Sequence, residues 1–186
     1  MTTFKLWVIR MVLPIVVLSS GTVYGDVMID DFEAGSNVDW DYLSDQVMGG
    51  VSEGSARLGR DENEAYAHMT GDVSTANNGG FIQLRTSLKS GADKNTKGVF
   101  IKVRGNNQKY YIHLRTRGTM LPWQYYQAGF DATEEWQLVR LPFEAFEASG
   151  SWLRNTPAPT SIRSIGVVAY GRDHQADIQI SEIGFY

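Results

Sequence analysis

The chain has no cysteine in 186 residues, only three histidines and only five prolines. Without thiols there is no disulfide framework, thiolate zinc site, iron–sulfur cluster or thiol nucleophile, so stability must come from an apolar core. The histidines, His68, His113 and His174, lie far apart in sequence and show no His-x-x-x-His or similar metal spacing. No Gly-x-Ser-x-Gly elbow, Walker sequence or Gly-x-Gly-x-x-Gly turn is present, which removes the motifs that make a hydrolase or a nucleotide site specific. Adjacent acids occur at Asp30–Asp31 and Glu134–Glu135, but neighbours on a strand point to opposite faces. They read as solvated strand ends rather than as a glycosidase pair. The chain therefore reads as a binder and not an enzyme, with no catalytic residue, no cofactor and no dedicated metal site.

Two further absences set the fold class. Beyond residue 26 no amphipathic stretch reaches the ~10 residues of an ordinary helix, and no repeat of about 20–50 residues points to a solenoid or propeller. What remains is short alternating segments punctuated by glycine, the pattern of an antiparallel sandwich.

The first 25 residues differ from the rest. Lys5 and Arg10 are their only charges, Met11–Leu18 is apolar apart from Pro14, and small residues lead to Gly25. This is the order of a secretory signal peptide cleaved after Gly25. An uncleaved N-terminal anchor is the alternative, since about 20 apolar residues span a bilayer. After cleavage no integral membrane segment is left, and the protein is expected to be exported, periplasmic or extracellular. Residues 26–186 would then form one domain with 15 basic and 21 acidic residues. That balance argues against nucleic acid or an anionic membrane surface as partner.

Val27–Phe32 opens the strand series. Ala56–Leu58 and Ala65–Met69 form a hairpin about Asp61–Glu64, with Gly71 at its end. Gly79–Arg85, Gly98–Arg104, Tyr110–Thr116, Tyr125–Phe130, Trp136–Leu141, Ile162–Tyr170 and Ala176–Phe185 continue the series. If Ile82, Leu84, Ile112 and Leu114 face the core, period 2 sends Arg85, Tyr111, His113, Arg115, Tyr125 and Gln127 to the opposite face, with Trp123 in the turn before. A solvated face would be richer in Lys, Glu and Thr. Aromatic rings beside planar donors stack on sugars or anchor a protein partner, so these seven residues are the candidate ligand-binding set. The alternative is that a long loop covers this face and the rings are simply buried.

The segment Ser44–Ser52 places Gly49–Gly50 between Met48 and Val51, which marks a sharp turn or a close backbone approach. Following Trp40 and Tyr42, it resembles the signature of the complex I intermediate-associated protein 30 family, with Gln46 where that family usually has glycine. The resemblance extends through Asn78–Phe81, Arg104–Gly105, Tyr110–Thr116, Tyr126–Gln127 with Phe130, and Trp136–Val139 followed by Leu141–Phe146. It implies an all-β, galactose-binding-domain-like jelly-roll sandwich. It also implies a non-catalytic assembly or chaperone-like role toward another protein, since the family's best-known members are mitochondrial assembly factors of respiratory complex I. A signal peptide departs from a mitochondrial targeting segment, so only the fold and the binding type of activity carry over. A carbohydrate is the alternative partner. Jelly rolls of this shape also hold structural calcium, for which Asp30, Asp31, Glu33 and Glu182 offer hard oxygen ligands.

Overall fold

A computed structural model of the protein describes residues 25–62 and 64–186. The signal-peptide reading of residues 1–25 falls almost wholly outside the described residues. In chain order the strands are β1 (Val27–Asp30), β2 (Trp40–Ser44), β3 (Glu53–Arg60), β4 (Ala65–Val73), β5 (Phe81–Ser87) and β6 (Gly98–Gly105). There follow β7 (Gln108–Thr116), β8 (Tyr126–Ala132), β9 (Gln137–Pro142), β10 (Glu147–Ala148), β11 (Ile162–Tyr170) and β12 (His174–Phe185). Between them the described residues contain only single 3-10 turns, including Asp45–Met48 and Phe143–Ala145.

Two six-stranded antiparallel sheets pack face to face as a jelly-roll sandwich, the expected architecture. One runs β3-β4-β12-β6-β9, with β1 added along β12; the other runs β10-β8-β7-β11-β5-β2. Alternation supplies the core: Val99, Ile101, Val103, Ile178 and Ile180 from the first sheet meet Ile82, Leu84, Ile112, Leu114, Ile165 and Val167 from the second, all buried. Each such side chain contributes about 1.5–3 kcal/mol on leaving water, which is how the fold dispenses with disulfides.

Three sequence expectations shift. Gly71 does not end its strand; β4 runs on to Val73, with Gly71 paired to Gly54 where the two backbones come too close for a Cβ. The strand series gains a member it did not include: Trp40–Ser44 pairs with β5 as the edge strand β2. The four acids offered as calcium ligands are engaged separately. Asp30 accepts from Phe32 N and from Trp40 Nε1 at 2.7 Å, Asp31 accepts from Glu33 N, Glu33 pairs with Arg60, and Glu182 lies 3.7 Å from Lys102. No cluster of three or more His, Asp or Glu able to hold a metal occurs among the described residues.

Candidate ligand groove

Strand register assembles the outer face of the second sheet. One row across it reads Gln127–His113–Gly166–Arg85–Asp41, and the next reads Gly129–Tyr111–Val168–Gln83–Leu43. In the first row a residue without a side chain separates His113 from Arg85. Two strand spacings, about 10 Å, therefore stay open between them. The result is a groove of about 440 Å³ floored by Ser164, Gly166 and Val168 of β11. Its walls are His113, Arg115 and Tyr125 on one side and Phe81, Gln83 and Arg85 on the other.

Of the seven candidate residues, Arg85, His113, Arg115, Trp123 and Tyr125 line this groove. Tyr111 and Gln127 share the face but do not line it. Tyr111 instead sets its ring edge-on to Tyr170 at 6.1 Å, and Gln127 stands cross-strand from His113. Tyr170 and the β11 floor escaped the sequence reading, and Gln83, which period 2 sends to the same face as Arg85, is not among the seven candidates. Gly166-Val167-Val168-Ala169 is small and apolar throughout, so its two faces cannot be told apart by alternation.

The side chains are held in a fixed order. His113 stacks on Tyr125 with ring centroids 4.1 Å apart and planes 10° apart. Tyr170 stands nearly perpendicular to His113 at 5.7 Å and to Tyr125 at 6.5 Å. Burial, followed by the neighbouring Tyr170 hydroxyl, pushes the Tyr125 phenol up, so it stays protonated. The turn carrying Trp123 is braced from below. Arg115 Nη2 donates to Leu121 O at 2.9 Å, Arg163 Nη2 to Thr119 O at 2.9 Å, and Ser149 Oγ to Trp123 O at 3.0 Å. The Trp123 ring itself is 66% exposed at the groove mouth. The face is thus open along its length, with a loop folded only over one end. Because Arg115 holds that loop, Arg115→Ala would disturb structure and binding together.

Three polar atoms on this face are buried without a hydrogen-bond partner: His113 Nε2, Arg115 Nε and Gln127 Oε1. Two other hollows lie at the β1–β2 connection, about 360 and 810 Å³. Only Tyr42 Oη among their lining residues is a buried unpartnered side-chain group. Unsatisfied polar atoms mark places where a ligand or water completes the set, which makes the groove the stronger site although the second of those hollows is larger.

Burial lowers the His113 pKa to about 4. The ring is therefore neutral at pH 7, and a depressed histidine supplies stability that is complete above the unfolded value near 6.5. That stability is lost as pH falls toward 4, on the order of 2–3 kcal/mol. His174 is lowered in the same direction, also by burial. Urea denaturation from pH 7.5 to 4.5 should show this loss, and His113→Phe should flatten most of it; an unchanged slope in that variant would contradict the assignment.

The signature segment forms the rim. Asp45, with no exposed surface, is sealed by one layer of loop. Its carboxylate accepts from Ser52 N (2.9 Å), Ser52 Oγ (2.5 Å), Gly80 N (2.5 Å) and Phe81 N (3.3 Å). Burial alone would raise its pKa, but these four hydrogen bonds outweigh that and hold it below the usual carboxylate range. Gly49 takes φ +88°, and a Cβ on Gly50 or Gly79 would overlap the Asp45 carboxylate. The two Gly-Gly stretches, far apart in sequence, thus close around one buried acid. This presents Val47, Met48, Asn78 and Gly79 to the groove. Gln46, the departure from the family pattern, donates from Nε2 to Ser52 O at 3.1 Å. Gly49→Ala should cost about 1 kcal/mol through its backbone and Gly50→Ala about 1–3 kcal/mol through overpacking. Thermal melts of both variants indistinguishable from the parent would show that the loop is not locked.

Residues 31–181 match the sequence profile of complex I intermediate-associated protein 30. The chain belongs to that family. No curated protein matches it significantly. Among solved structures it is similar to the family 11 carbohydrate-binding module of cellulosomal cellulase Lic26A-Cel5E of Clostridium thermocellum. The TM-score is 0.69 at 16% identity, over 87% of this chain and 94% of that one. The family 11 module from Clostridium thermocellum in complex with a β-1,3-1,4-mixed-linked tetrasaccharide gives the same score and identity, over 87% and 95%. A family 30 carbohydrate-binding module follows at TM-score 0.54 and 11% identity, over 74% and 91%. At these identities the likeness is one of fold, and it joins this complex I intermediate-associated protein 30 member to the jelly-roll modules.

Proposed function

We propose that this chain is a non-catalytic binding module that lays one oligosaccharide strand along the outer groove of the second sheet. The observation that carries this reading is the row His113–Gly166–Arg85. A side-chain-free floor between planar polar walls leaves room for a single narrow polymer, and Trp123 offers an exposed ring at the mouth for stacking on a sugar face. The buried unpartnered atoms of His113 and Arg115, which line the groove, favour a ligand rich in hydroxyls. The jelly-roll relative seen with a bound tetrasaccharide supports the same use of the fold. No carboxylate lines the groove, so the acid pair of a glycoside hydrolase has no place there.

Such a module acts where glycans are, outside the cytoplasm, in keeping with the signal-peptide reading of residues 1–25. No helix among the described residues is long and apolar enough to cross a membrane. A second reading, an assembly or chaperone-like factor that docks on another protein, is favoured by the apolar rim. Val47 is 70% exposed and Met48 65%, and these suit a protein hot spot better than a sugar.

A glycan array run beside pull-down mass spectrometry from the native envelope separates the two. An array signal competed away by the same free oligosaccharide supports the first reading. A specific protein partner with no glycan signal overturns it in favour of the second.

A further inference from the structure

The mature chain is acidic, yet its groove is not. Arg85 and Arg115 line it, and no aspartate or glutamate does. Arg163 adjoins them: burial first, then the charges of Arg163 and Arg85, push the Arg115 guanidinium down. Three guanidinium groups therefore gather at one end of the groove with no counter-ion between them. The ion pairs among the described residues engage Arg60, His68, Lys102, Arg104, Lys109 and Arg140, and none of these three. The acids that share this face lie toward its edges. Asp41 stands beside Arg85 on the edge strand without pairing to it, Asp131 is 3.6 Å from Lys109, and Glu147 opposes Gln127 on β10.

Arg85 makes no hydrogen bond among the described residues, so all five donors of its fork are free. Arg115 spends Nη2 on Leu121 O and, weakly at 3.4 Å, on Thr119 O, while its Nε remains buried and unpartnered. In register, Arg85 lies opposite Gly166 and Arg115 opposite Ser164, about 12 Å apart along the backbone grid. Two long side chains can close that distance over the Ser164–Gly166 floor. Guanidinium forks match carboxylate and sulfate oxygens bidentately, and a partly desolvated cationic pair strengthens such contacts.

We infer that the ligand of this groove is an acidic oligosaccharide, one sugar unit of which places a carboxylate or sulfate between Arg85 and Arg115 above Ser164 and Gly166. The inference rests on the oligosaccharide reading and narrows it to uronate-bearing or sulfated chains.

The test is calorimetric titration of the mature domain with a panel of neutral, uronate-containing and sulfated oligosaccharides, at about 50 and 300 mM salt. An acidic member should bind at least tenfold tighter than its neutral counterpart, with the ratio shrinking at high salt. The uronate and sulfate arms identify which anion is preferred. Arg85→Gln removes no hydrogen bond or ion pair among the described residues, so it should melt like the parent while the acidic-to-neutral ratio collapses toward one. Arg85→Lys should retain part of that ratio. Neutral members binding as tightly as acidic ones, or a preference that survives Arg85→Gln, would overturn the inference while leaving the groove a sugar site. No binding by any oligosaccharide would overturn the sugar reading itself. Binding of a poly-glutamate peptide with no sugar binding would overturn both and assign the arginines to a protein partner.

Discussion

Asp45→Ala should be the most damaging single substitution in the rim, lowering stability by on the order of 3–6 kcal/mol. The carboxylate receives two short bonds, from Ser52 Oγ and Gly80 N, and two longer ones, from Ser52 N and Phe81 N. Hydrogen bonds to a charged group contribute roughly 1.5–3 kcal/mol each. Truncation strands three backbone amides at once and opens the space that Gly50 and Gly79 leave free. Since a domain has about 5–15 kcal/mol in total, this variant stands near the unfolding threshold. Asp45→Asn keeps the shape but turns one acceptor into a donor facing other donors, and should recover little. The lowered pKa adds a pH signature. The stabilisation is present above the unfolded value near 4 and is lost as pH falls through the lower folded value. Chemical denaturation of the parent and both variants checks this, and a cost below about 1 kcal/mol would mean that solvent replaces the carboxylate.

Gly166→Leu should abolish ligand binding with little change in melting temperature. A Cβ at Gly166 meets Gln83 Oε1 and Leu84 O at 3.4 Å and Arg85 Cβ at 3.5 Å, ordinary contacts that the strand tolerates. The remaining carbons project into the only opening between His113 and Arg85. A branched side chain there occupies the floor on which a sugar ring would rest. A loss of at least a hundredfold is expected, about 2.7 kcal/mol or more. Gly166→Ala, which adds only the tolerated Cβ, should bind more weakly than the parent but measurably. A Gly166→Leu protein that folds and binds like the parent would place the ligand elsewhere.

Period 2 made the sandwich and the polarity of its faces legible from the sequence. Ile82, Leu84, Ile112 and Leu114 are buried as their phase requires, and five of the seven residues opposite them meet in one groove. Strand order was not legible, because pairing is set by long-range register. Nothing local says that β11 lies between β7 and β5. That arrangement puts Gly166 between His113 and Arg85, and with it creates the groove. Asp45 lies within the Ser44–Ser52 run, but nothing in that run alone marks it as buried. The glycines are small because the acid fills their space, a relation visible only once Gly79 and Gly80 are brought beside them. The unpaired state of Arg85 was equally hidden, since Asp41, its cross-strand neighbour, looks like a ready partner until the geometry shows no ion pair between them.

The most direct measurement is an NMR titration of isotope-labelled residues 26–186 with the best-binding oligosaccharide from the array. The account predicts amide shifts concentrated at Ser164, Gly166, Val168 and Arg85, together with a shift of the Trp123 indole N–H. Residues of β3, β4 and β9 on the opposite sheet should stay unmoved. Shifts confined to that opposite sheet or to the β1–β2 hollow, with Gly166 and Trp123 unchanged, would contradict it.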